Sequence, residues 1–234
     1  MQFELNSEYL DQLKTAIAEQ NDALLKAQLS ELYAVDIALI LNQLDLEDSI
    51  YLYDQIDEEL SSDVLLEMEE EKREALLATF STKEIAEQLD NMDSDDAADV
   101  INELPEDIQD EVLSHIEDIE QASDIADLMS FEEGTAGSLM AKELVSVYAH
   151  ETVSACIDEI RKQTENVDVL YAVYVVDDNE KLIGMLSLKK LIVSHPLARI
   201  EEIYDGDVIS VKTSESSEEV AELIRKYDLV VLPV

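Results

Sequence analysis

A chain of 234 residues, 47% of them hydrophobic, has room for one or two domains with cores of their own. Its 57 Asp and Glu against 15 Lys and Arg leave a net charge of −42, and residues 1–130 hold 37 of the acids and 5 of the bases. A field of that sign excludes nucleic acid, disfavours an anionic membrane face and attracts cations; for most of these carboxylates a solubilising surface is the simpler account. The single cysteine, Cys156, cannot form an internal disulfide, which fits a reducing cytosol. The opening MQFELNSEYL has no basic region followed by an apolar core, and no run nears the ~18 apolar residues that span a bilayer. A soluble chain that does not itself insert into a membrane is expected.

Residues 1–133 contain no glycine and one proline, Pro105, and are rich in Leu, Ala, Glu and Gln, so the first half should be helical throughout. It also repeats. Leu41, Leu65, Leu89 and Leu113 are spaced 24 apart, in step with Leu44, Met68, Met92 and Ile116. A third register is Leu52, Leu76 and Val100, and a fourth is Ile56, Phe80 and Leu104. A unit of 24 residues holds two short helices and their turns, which predicts a right- or left-wound stack of helix pairs. Pro105 suits a helix start, with Glu106 and Asp107 in the first turn where the dipole favours anions.

The glycines begin at Phe131–Gly137 (FEEGTAG), read here as a domain junction, and the period then changes. Leu144–Val147 is a short apolar run and Thr152–Thr164 an amphipathic helix. Tyr171–Val176 reads as a buried strand, residues 177–180 as a turn, Lys181–Leu188 as a second strand and Lys189–Ser194 as a helix. This unit recurs at an offset of 64: Leu144–Val147 matches Val208–Val211, and Ile160-Arg161-Lys162 matches Ile224-Arg225-Lys226. The second copy stops at Val234 after the apolar run Leu229–Val234, so the natural protein is expected to continue beyond it.

Strand, helix, two strands and helix, present twice, resembles paired cystathionine-β-synthase (CBS) domains, above all in YVVDDNEKLIGMLSLKKLI and VISVKTSESSEEVAELIRKYDLVVLPV. With the helical repeat carrying MDSDDAADVINELPEDIQDEVL and then FEEGTAGSLM, the chain resembles the cytosolic part of MgtE-type magnesium channels. The resemblance implies a multidomain α + α/β fold: a helical-repeat N domain at 1–130, a junction at 131–137, a first CBS domain at 138–200 and a partial second CBS domain at 201–234. It also implies a homodimer formed through the CBS domains and a transmembrane pore domain elsewhere in the same chain. The place implied is the cytoplasmic side of a bacterial cell membrane. The role implied is a Mg2+ sensor that gates the pore, not an enzyme.

Magnesium takes octahedral oxygen ligands and keeps several waters, so one or two carboxylates per ion often suffice. Asp95 and Asp99 in DDAAD are four apart, lie on one helical face and repel one another, a repulsion that a cation would relieve. By the resemblance these two and Asp63 match the N-domain ligands. Glu218 and Asp228, with the Arg225 carbonyl, match ligands that face the pore. CBS pairs often hold adenosine nucleotides through a Ser/Thr-x-x-Asp; here the matching stretch is Ser187-Leu188-Lys189-Lys190, and a Lys cannot accept the ribose hydroxyls. No nucleotide is therefore expected, although a nucleotide-sensing CBS module is one alternative. A helical-repeat adaptor that binds another protein is the other.

DDAAD also matches the DDxxD of prenyl-diphosphate synthases, but the second motif is absent and the chain has only four Arg. His115, His150 and His195 lie far apart, and Cys156 sits within an amphipathic helix, so no nucleophile–base pair stands out.

Overall fold

The computed structural model describes residues 3–164 and 170–234, which form two compact units divided between Ala126 and Asp127. Among the described residues no helix is long and apolar enough to cross a membrane.

The first unit is helical: α1 Ser7–Ala18, α2 Asp22–Leu29, α3 Ala34–Leu41, α4 Leu46–Tyr53, α5 Glu58–Glu67, α6 Glu70–Leu77, α7 Thr82–Leu89, α8 Ser94–Glu103, α9 Glu106–His115 and α10 Ile119–Met129, the last crossing the divide. The 24-residue period is the spacing of the helix starts. One series begins at Ala34, Glu58, Thr82 and Glu106, the other at Asp22, Leu46, Glu70 and Ser94. Within the first series α3 packs on α5, α5 on α7 and α7 on α9. The repeated apolar registers line this stack: Leu41, Leu65, Leu89, Leu44, Met68, Met92, Ile116, Leu52, Leu76, Val100 and Leu104 are buried, whereas Ile56, Phe80 and Leu113 are only partly so. Pro105 is the cap of α9, with Glu106 and Asp107 in its first turn.

Helices this short leave most of their terminal carbonyls without an intrahelical donor. The next repeat supplies the donors. Lys72 Nζ donates to Leu44 O at 2.8 Å, and Gln121 Nε2 donates to Leu89 O at 3.1 Å and Met92 O at 2.9 Å. Helix starts are satisfied across repeats too: Glu69 N donates to Asn42 Oδ1, and two repeats on Glu117 N donates to Asp90 Oδ1, both at 3.1 Å.

In the second unit β1 Ser146–Tyr148 runs parallel to β2 Val173–Val176, and β2 forms an antiparallel hairpin with β3 Leu182–Leu186, in the order β1-β2-β3. Helix α11 Val153–Gln163 connects β1 to β2 in sequence, α12 Leu188–Val193 follows β3, and α13 Ser217–Tyr227 belongs to the second copy. In the first copy the expected strands and helices are present with ends within one or two residues of the expected bounds. Asp177 closes the hairpin by accepting from Asn179 N at 2.8 Å and Lys181 N at 3.1 Å. The core is Val145, Val147, Val153, Cys156, Ile160, Val173, Val175, Leu186, Leu191 and Ile200. Gly184 on β3 is required by close approach, because a Cβ there would lie on the Tyr204 ring and 2.6 Å from Asp205 O.

The 64-residue offset reappears as a set of backbone bonds exchanged between the copies. Val153 N donates to Ala198 O at 2.9 Å, Ile200 N to Glu151 O at 2.9 Å and Glu201 N to Ala149 O at 2.8 Å, around a bridge between Thr152 and Arg199. At equivalent positions Ser217 N donates to Gly134 O at 2.9 Å, Ala136 N to Glu215 O at 2.7 Å and Gly137 N to Thr213 O at 2.9 Å, around a bridge between Thr135 and Ser216. Each copy's leading segment thus docks on the other copy, and residues 134–137, expected as a junction, are bonded into the second unit. Residues 208–211 are not assigned as a strand. Val211 N donates to Pro233 O at 3.0 Å, but Pro233 has no N–H to answer with, so no ladder forms there.

Candidate functional site

Helix α8 buries Ser94, Ala97, Ala98, Val100 and Ile101, which turns the other side of the helix outward. Asp95, Asp99 and Glu103 follow one another at four-residue steps, so their side chains share one stripe. Asp95 and Asp96 stand in the first turn, where the helix dipole favours a negative charge. Asp99 has no such support. Its carboxyl is raised above the ordinary range, first by partial burial, then by the charges of Asp95 and Glu103, while Arg73 pulls it back.

Arg73 on α6 is the counter-charge of this stripe. It reaches Glu103 through Nε at 2.8 Å to Oε2 and through Nη2 to Oε1, and its Nη1 donates to Leu65 O at 3.1 Å, Leu66 O at 3.2 Å and Met68 O at 3.3 Å. One guanidinium therefore caps the end of α5 and neutralises Glu103. Its own pKa is raised, chiefly by the hydrogen bond to Glu103. Sequence reasoning passed over both residues. The available signal was that Arg73 is the single Arg in residues 1–130 and that Glu103 extends the Asp95, Asp99 spacing by one more turn.

Asp95 and Asp99 stand one helical turn apart on α8, and the other candidate ligands lie on α5 and α13. Asp63 stands exposed on α5. Glu218 lies in the first turn of α13 and Asp228 is its C-cap in the left-handed region, at φ 52° and ψ 47°. Ten residues of helix separate these two by about 15 Å, too far for one small cation to bridge directly. Among the described residues no group of three or more His, Cys, Asp and Glu is arranged to hold a metal. What α8 offers is a pair of hard oxygen donors under mutual repulsion. That donor set suits a hydrated Mg2+ better than a dehydrated transition metal.

At the start of α12, Ser187 is the N-cap and accepts from Lys190 N at 3.3 Å. The Lys190 ammonium is paired with Asp205 Oδ1 at 2.7 Å, so the position presents a cation already engaged by a neighbouring carboxylate.

Residues 32–134 match the family model of the MgtE intracellular N domain and residues 136–194 that of the CBS domain. The magnesium transporter MgtE of Enterococcus faecalis is 38% identical over 115 residues, 49% of this chain and 25% of that protein. The magnesium transporter MgtE of Thermus thermophilus is 39% identical over 112 residues, 48% of this chain and 25% of that protein. These alignments thus take in about a quarter of each relative. Among solved structures, the soluble part of a magnesium transporter superposes with a TM-score of 0.82 at 30% identity, covering 97% of this chain and 89% of that one. The cytosolic domain of the Mg2+ channel MgtE in complex with ATP gives a TM-score of 0.88 at 29% identity, covering 96% and 92%.

Proposed function

The chain belongs to the MgtE family, and from that premise we propose that it is the cytosolic Mg2+-sensing region of a magnesium transporter, acting as a regulatory module and not as an enzyme. The observation that carries this reading is the α8 stripe, where Asp95 and Asp99 are held four residues apart and Asp99 is raised partly by the charge of Asp95. A divalent cation there would relieve the repulsion at the cost of shedding few waters. Asp63, Glu218 and Asp228 are proposed as further carboxylate ligands, each needing waters or groups from beyond its own helix to complete a coordination shell. A homodimer through the CBS domains and a transmembrane domain in the same polypeptide complete the proposal.

The test is a thermal-shift titration with Mg2+ against KCl at matched ionic strength. Binding to the folded form alone raises the midpoint progressively as Mg2+ exceeds its Kd. We expect that rise in the parent chain and its loss in Asp95→Ala/Asp99→Ala. Equal shifts with both salts would reduce the effect to screening and refute the sensing role for this region.

The ATP of the related complex is not carried over to this chain. A lysine donates only and cannot accept from ribose hydroxyls, and Lys190 is engaged with Asp205. Calorimetry with ATP should give no binding heat; tight binding would overturn this exclusion.

A further inference from the structure

We propose that Arg73 is a positioning residue that sets which cation the α8 stripe takes: by occupying both oxygens of Glu103 it withholds a third carboxylate and keeps the stripe selective for a hydrated Mg2+ over Ca2+. The inference rests on the cation-sensing reading and adds what decides between ions. Asp95, Asp99 and Glu103 follow one another at steps of four on α8. Neighbours at that step have Cβ atoms ~5–6 Å apart, close enough for two carboxylates to share one ion. Spacing by itself therefore offers two pairs, Asp95 with Asp99 and Asp99 with Glu103. The second pair contains the longer side chain, a Glu, which can give a large ion both of its oxygens.

Arg73 removes that second pair. Glu103 Oε2 accepts from Arg73 Nε at 2.8 Å, and Glu103 Oε1 accepts from Nη2. The guanidinium is itself anchored, because Nη1 donates to Leu65 O, Leu66 O and Met68 O at the end of α5. It cannot follow Glu103 toward an ion without giving up those carbonyls. Asp99 feels Arg73 as a charge that offsets part of the repulsion along the stripe. The neighbouring cation, Lys72, is directed elsewhere and donates to Leu44 O at 2.8 Å.

The two ions respond differently to a third carboxylate. Mg2+ demands octahedral geometry at ~2.0–2.1 Å, dehydrates reluctantly and is held through one or two carboxylates, so the Asp95, Asp99 pair suits it. Ca2+ takes about 6–8 oxygens in a flexible shell and accepts a bidentate Glu, so a freed Glu103 would strengthen its binding far more.

Calorimetric titration of the whole 234-residue chain with MgCl2 and with CaCl2, at ionic strength fixed by KCl, tests this. The readout is the ratio of the two Kd values. Arg73→Lys keeps the charge but loses the planar fork, and should shift the ratio toward Ca2+ by ~10-fold or more. Adding Glu103→Gln to that variant removes the freed carboxylate and should return the ratio to that of the parent. A change of packing or net charge alone would move both divalent ions together and leave the ratio where it was. Glu103→Gln by itself should also leave the ratio unchanged, and this variant decides if Arg73→Lys does not fold. An unchanged ratio in folded Arg73→Lys, or a lost preference for Ca2+ in Glu103→Gln, would overturn the role of Arg73. A parent chain that binds neither ion would refute the sensing reading itself and this inference with it.

Discussion

Arg73 and Glu103 join α6 to α8 through a two-pronged ion pair whose side chains are only 12% and 16% exposed. Because the same guanidinium also serves three carbonyls at the end of α5, it links three helices of the repeat and sets the charge beside Asp99.

Removing one partner of such a pair leaves the other desolvated and unmatched. Arg73→Leu should therefore cost on the order of 3 kcal/mol. Arg73→Lys should recover only part of that, since an ammonium cannot reproduce the planar fork. Arg73→Leu with Glu103→Leu should restore much of the loss, because no orphaned charge remains. Urea unfolding followed by helical circular dichroism reads all three, and a single variant within ~0.5 kcal/mol of the parent would sink the assignment.

Asp99 gives a pH signature of its own. Its folded pKa lies above the unfolded value, so ionisation disfavours the folded state: stability is gained as pH falls through the folded pKa and lost as pH rises through it. At neutral pH Asp99→Asn should stabilise the chain without Mg2+ by ~0.2–0.5 kcal/mol, the scale of a like-charge pair at i,i+4. That advantage should vanish in acid, where the carboxyl is already neutral. Thermal midpoints across pH measure it. An Asn variant no more stable than the parent at neutral pH would mean that attraction to Arg73 outweighs the burial and repulsion.

The apolar registers should not be equivalent in energy. Leu65 is fully buried in the middle of the stack and Leu65→Ala should cost about 2–5 kcal/mol. Leu113 holds the same register in α9 but is only half-buried, so Leu113→Ala should cost clearly less. Equal losses in denaturant midpoints would show that the last helix of the series shares the full core.

Much of this fold was legible before any coordinates. A buried stripe must recur with the helical period, so the 24-residue spacing of Leu41, Leu65 and Leu89 translates directly into helix starts. The strands at 173–176 and 182–186 declared themselves by apolar runs around a polar turn. Asp95 and Asp99 could be set on one face from spacing alone.

Other features had no local signature. The exchange that binds Ala136 to Glu215 is made of backbone N–H and C=O groups, which every residue carries, so side-chain identity does not announce the partner. Arg73 meets Glu103 across 30 residues, and nothing in either neighbourhood names the other. Spacing along the chain was enough for the two repeats, the helical and CBS-like halves and the Asp95, Asp99 pair, because periodic burial and helical spacing are local properties. Folding alone sets which carbonyls are capped from the next repeat, which acid is neutralised and which segment pairs with the start of α13. Those contacts depend on distances between residues far apart in the chain, which only the folded packing sets.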